Sequence, residues 1–247
     1  PDGTSTLLMP GLEDELMPVG MMRHSSEDPE ERHALYNNYD AATVSALGET
    51  GAVVLVAHTE HRDVEVLASL QNNGLKGVEM FNLHAMVDPT KREEDLGLEA
   101  MGWVDEIAPF TDPSGTAEPD LMFLAFYQEQ ATSIATWDNL SARAPTVGVA
   151  GTDAHQNVMP LDLRDGERLD SYRRMARWFS NWLLVGDDSS VSHREALAMG
   201  RNTVVFEALG ATVPLVRHLP VEPVGREHAA SGSCTCGRAS GVSTREG

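Results

Sequence analysis

Three residue groups in this chain have the types and spacing to hold a metal ion. Val53-Val-Leu-Val-Ala57 is an apolar run that ends at His58. Val78-Glu-Met-Phe81 is followed by Asn82 and His84. Val147-Gly-Val-Ala150 is followed by Gly151-Thr-Asp153-Ala-His155. Neutral imidazoles and carboxylates are the usual protein ligands of zinc and also suit manganese and iron. One histidine after a strand is most simply structural. Three strand ends carrying His, His and Asp-x-His point to a shared metal site. Gly151 and Thr152 are expected to let the backbone turn sharply, so that Asp153 and His155 aim into one cavity.

The elements that must position these residues alternate. Each apolar run is short and continuous, the pattern of a strand buried on both faces. Helices are expected after Asp28-Pro29, from the N-cap Asp40 to about Glu49, and over Val64–Gln71. Further helices are expected over Lys91–Met101, Pro119–Leu140 and Leu169–Phe179. A Ser192/Glu195 capping box should open one that ends near Gly200. Two later strands are expected, at Trp182–Val185 and Thr203–Phe206. The first forty residues read as loop, because Pro10, Gly11, Pro18 and Gly20 break any periodicity. The alternation predicts an α/β fold with a largely parallel sheet, whose active sites lie at the C-terminal strand ends. No internal repeat is present.

Composition narrows the function. The chain has 247 residues, 41% of them hydrophobic, enough for a sizeable core. No apolar run approaches the roughly 20 residues of a membrane-spanning helix. Thirty-eight acidic residues against 18 basic ones give a net charge of −20, which argues against nucleic acid or an anionic membrane as partner. An anionic substrate stays possible, because a metal cluster reverses the local field. Compartment is left open. The two cysteines, Cys234 and Cys236, lie in a Gly/Ser-rich stretch. Residues 1–222 read as the folded domain and residues 223–247 as a flexible tail.

Leu8-Met-Pro-Gly-Leu-Glu13, Val56-Ala-His58, Gly77-Val-Glu-Met-Phe-Asn-Leu-His84 and Gly151-Thr-Asp-Ala-His155 together resemble, in order and spacing, the PHP (polymerase and histidinol phosphatase) superfamily. They look closest to its stand-alone metallohydrolases, the carbaryl-hydrolase-like branch. The resemblance implies a distorted seven-stranded α/β barrel with up to three metals at one end. It implies that Glu13 bridges two metals, that His58 and His84 complete one of those sites, that Asp153 binds the neighbouring metal and His155 the third. Asp153 and His155 are then the expected catalytic residues, with a metal-activated hydroxide as nucleophile.

The chain departs from the family in one respect. None of its nine histidines forms the His-x-His pair of the family's first strand, and no Asp-His dipeptide occurs. Relative to the family the domain is therefore expected to be N-terminally incomplete. The expected activity is a metal-dependent, phosphoesterase-like hydrolase acting on a phosphate ester or related small-molecule ester or amide, with zinc, manganese or iron. The alternative is a degenerate, non-catalytic barrel that binds a ligand or partner. A domain attached to a DNA polymerase fits poorly with so short and acidic a chain. His61 is a further candidate for the pocket wall. Arg62 and Arg201 are expected in structural ion pairs, and Trp178, Phe179 and Trp182 in the core.

Overall fold

The computed structural model describes residues 7–156, 159–186 and 190–209. Residues 210–247, with His218, His228, Cys234 and Cys236, lie outside the described residues. The fold is mixed α/β. A four-stranded sheet is formed by β1 (Leu16–Val19), β2 (Val53–Val56), β3 (Gly77–Asn82) and β4 (Val147–Gly151), in that spatial order. β2, β3 and β4 are parallel, and β1 runs antiparallel along the outer edge of β2.

β2, β3 and β4 are where the apolar runs placed them, and the first helices follow their caps. Asp28, Asp40 and Asp63 each accept a backbone N–H at the start of α1 (Pro29–Tyr36), α2 (Ala41–Glu49) and α3 (Val64–Gln71). Such caps contribute about 1 kcal/mol each. Alternate residues of β2 face two clusters. Val54 and Val56 pack with Leu16, Leu47, Leu67 and Val78, while Val53 and Leu55 pack with Val147, Val149 and Leu197. β2 is buried over its whole length, which explains its unbroken apolar composition.

Several elements differ from the sequence reading, each for a physical reason. β1 falls in a stretch expected to be loop. Its Pro18 sits opposite Val54 on an edge strand, where a missing N–H is tolerated. The expected helix over Lys91–Met101 shrinks to one wide turn, Lys91–Asp95. Arg92 is buried there, donating to the carbonyls of Met86 and Glu99, and Gly97 then takes a left-handed φ of 65°. The expected helix over Pro119–Leu140 breaks into a 3-10 stretch, Pro119–Ala125, and α5 (Ala131–Ser141). Gln130 ends the gap by turning inward to bond both backbone groups of Asn82, at 3.1 and 2.6 Å. A helix the sequence did not announce, α4 (Val104–Thr111), lies between the Lys91–Asp95 turn and the 3-10 stretch.

The helix expected over Leu169–Phe179 is only α6 (Tyr172–Met175). Trp178 and Phe179 are core as expected, in an aromatic cluster with Phe81, Phe123 and Phe126. Trp182 is only half-buried, and its indole donates to Glu207. It lies on β5 (Ser180–Leu183), which pairs antiparallel with β6 (Asn202–Val205) in a second, two-stranded sheet. Between them, α7 (Ser190–Ala198) starts two residues before Ser192, so that serine is interior and accepts from the Gly186 N–H. The small sheet meets β4 through side chains. Asn181 makes two hydrogen bonds to the backbone of Ala150, at 3.0 and 2.8 Å, and Asn202 donates to Gly148 at 2.7 Å. These amides satisfy an edge that would otherwise present open backbone groups.

Candidate metal centre

The parallel strands deliver their following residues to one end of the sheet. His58 stands two residues beyond β2. His84 opens a 3-10 turn, His84–Met86, beyond β3, and the Asn82 side chain caps that turn by accepting the Ala85 N–H at 3.0 Å. Asp153 and His155 follow β4. β1 is antiparallel with Leu16 opposite Val56, so the loop before it, with Glu13, lies at the same end. Glu13, His58, His84, Asp153 and His155 thus line one cavity of about 480 Å³, the five residues singled out by sequence.

The backbone here is strained. The non-glycine residues with positive φ among those described are His58 (53°), Asp153 (48°) and Gln156 (59°), all in the loops of this site. Left-handed backbone at such residues costs on the order of 1–3 kcal/mol each and persists where surrounding structure enforces it. At His58 the backbone N–H is held by Glu79 Oε2 at 3.0 Å. Gly151 is needed for space rather than for an unusual φ, since a Cβ there would lie 1.9 Å from Glu79 Oε1.

Asp153 is the hub. Its Oδ2 lies 2.9 Å from His84 Nδ1 and 3.9 Å from His58 Nε2, and its Oδ1 lies 2.5 Å from His155 Nε2. Glu13 Oε1 lies 3.8 Å from His58 Nε2. Two ligand groups result, Glu13–His58–Asp153 and His84–Asp153–His155, each with its donor atoms within 4.8 Å of one another. This grouping differs from the one the family pattern implies, in which His84 stands with Glu13 and His58.

Carboxylates dominate the electrostatics. Six of them line the cavity (Glu13, Asp14, Glu15, Glu60, Asp88 and Asp153), with Lys91 as its one ammonium. Burial, then the Asp153 charge, pushes the Glu13 carboxyl above its usual range. Burial raises Glu79, below the site, to about 7. Burial also works against the Asp153 charge, but the His84 hydrogen bond and the three imidazoles outweigh it and hold that carboxyl low. The Glu60 carboxylate, 3.4 Å from His58 Nδ1, raises His58 to about 8 against the opposing effect of burial.

The donor set fits a divalent cation. Each group offers imidazole and carboxylate donors, and the carboxylates exceed the local positive charge. A third grouping, Glu60, His61 and Asp95, has Lys91 Nζ among its atoms at 3.6, 3.4 and 3.6 Å, so an ammonium already stands where a cation would. His61 therefore borders the site through Lys91. Arg62 pairs with Glu15 and lies 4.7 Å from the Tyr39 ring centroid, the structural pairing expected of it. The sequence reading gave no role to Glu60 or Glu79. Glu79 had a signal, a lone carboxylate inside an apolar strand; Glu60 had none, since only the left-handed turn at His58 brings it back to the ring. No family model matches this chain, and neither a curated protein nor a solved structure matches it.

Proposed function

We propose that this chain is a metal-dependent hydrolase of the PHP type, acting on a phosphate ester or related ester. The observation that supports the reading is the convergence of two three-donor groups on the shared carboxylate of Asp153, at the C-terminal ends of adjacent parallel strands. On this reading the two sheets are parts of a distorted seven-stranded α/β barrel. Glu13, His58 and Asp153 would hold one zinc, manganese or iron ion, and His84, Asp153 and His155 a second. Ions held there would supply Lewis acidity and would lower the pKa of a coordinated water. Asp153 orients the imidazoles on either side of it. His155, the most exposed of the three imidazoles, would be the ligand of the second ion nearest to solvent. Lys91, at the cavity wall, meets the anionic part of the substrate.

Metal analysis of the dialysed protein, with hydrolysis assays on phosphomonoesters, phosphodiesters and carboxylic esters, tests this. Wild type should retain divalent metal and hydrolyse at least one ester class. His58→Ala should lose metal, whereas His33→Ala, on α1 and away from the cavity, should not. Equal metal content in wild type and His58→Ala refutes the ligand assignment. Metal binding without any hydrolysis favours the alternative, a ligand-binding module.

A further inference from the structure

We infer that Glu60 is a positioning residue that decides which nitrogen of His58 can bind a cation, by drawing the ring proton onto Nδ1. The inference rests on the metal-centre reading above. A neutral imidazole has one protonated nitrogen and one with a free lone pair, and only the latter can coordinate. In His58 the nitrogen facing the cavity is Nε2, 3.8 Å from Glu13 and 3.9 Å from Asp153. The other, Nδ1, has two neighbours with opposite demands. Asn82 Nδ2 lies at 3.3 Å and offers a proton, while Glu60 Oε1 lies at 3.4 Å and is able only to accept one. If Asn82 wins, Nδ1 carries the lone pair, Nε2 carries the proton, and the ring cannot bind a cation in the cavity. If Glu60 wins, Nε2 is free.

Asn82 cannot turn round to settle the conflict. Its Nδ2 also donates to Glu79 Oε2 at 3.0 Å, and its Oδ1 accepts the Ala85 N–H at 3.0 Å. It stays a donor toward His58. The proton acceptor that the Nε2-binding form needs on Nδ1 is therefore Glu60. Its side chain is 1% exposed, and its Oε1, 3.4 Å from His58 Nδ1, has no hydrogen-bond partner among the described residues, so its acceptor capacity is unspent. Lys91 Nζ lies 3.6 Å from the same oxygen, so this oxygen stands between an ammonium and the His58 ring. A carboxylate behind a ligating imidazole is a general device for fixing tautomer and ring orientation.

The test uses metal-free protein labelled with 15N-histidine, compared as wild type, Glu60→Gln and Glu60→Leu. Nitrogen NMR reads the His58 tautomer, and calorimetric titration with Zn²⁺ reads affinity. Wild type should carry its neutral-ring proton on Nδ1. Glu60→Leu should move it to Nε2 and weaken Zn²⁺ binding by about 10–100-fold. Glu60→Gln, which keeps an acceptor without charge and is the variant to rely on if Glu60→Leu does not fold, should shift both readouts partway. An Nε2 proton in wild type, or an unchanged tautomer and affinity in Glu60→Gln, overturns the inference. If wild type takes up no Zn²⁺, the metal-centre reading fails, and the tautomer comparison still decides the role of Glu60.

Discussion

Among the described residues, two clusters of charged side chains treat their charges in opposite ways. Around α6, the guanidinium of Arg174, fully buried, meets Asp120, Asp165 at 2.8 Å and Glu167 at 3.4 Å, and Arg173 and Arg177 add further contacts to the same carboxylates. Hydrogen bonds from Arg173 and Ser171 hold Glu167 down at about 2. At the strand ends, six carboxylates crowd a cavity with one lysine, and burial pushes Glu13 and Glu79 upward. The first cluster is closed, each carboxylate having its cation. The second is short of positive charge, held in strained backbone and open to solvent. Charged residues alone do not mark a site; an uncompensated surplus around a cavity does.

The comparison can be broken from either side. The largest effect expected is in Asp153→Asn, which weakens the carboxylate common to both ligand groups. Its metal content should fall to background, while its unfolding midpoint moves less than that of the next variant. Retained metal would show that Asp153 is not the hub. Arg174→Ala should do the reverse. Removing one partner of a buried ion pair costs about 3–5 kcal/mol, here about 3 because the carboxylates stay partly hydrated. Denaturant unfolding should report that loss, with metal stoichiometry of the folded protein unchanged.

The smallest effect is a difference in pH dependence. The folded state binds the Glu79 proton more tightly than the unfolded chain does. Its contribution is therefore full below pH 4.5 and is lost as pH rises through about 7. His58 adds in the same sense, with a contribution full below 6.5 and lost as pH rises through about 8. Glu167 has the opposite sign, contributing fully above pH 4.5 and losing its effect as pH falls toward 2. Metal-free wild type should lose site stability between pH 4.5 and 7, and Glu79→Gln should flatten that loss. An equal slope in both proteins would remove Glu79 from the account.

What the sequence made legible was whatever depended on local pattern. Asp28, Asp40 and Asp63 announce their helices because capping is a contact with residues two or three positions on. His58, His84 and Asp153 could be grouped because parallel strands must end on the same side. Residues whose roles come from long-range or backbone effects stayed hidden. Pro18 looked like a strand breaker because only its edge position makes it harmless. Gln130 looked like a helix interior because its partner, Asn82, lies 48 positions away. Glu60 was invisible because adjacent sequence does not reveal that His58 turns left-handed. The closed Arg174 cluster was equally hidden, since Asp120 lies 54 residues from its guanidinium partner.

The positive φ at His58 and Asp153 also has an evolutionary consequence. A left-handed position is most easily filled by glycine, with asparagine, aspartate and histidine next and β-branched residues worst. A lineage freed from the need for an imidazole at position 58 would find glycine immediately better for folding, by about 1–2 kcal/mol on backbone grounds. Drift there runs toward glycine or asparagine, not toward an arbitrary residue. A histidine that keeps a left-handed turn strained is thus held against the direction in which neutral substitution would carry it.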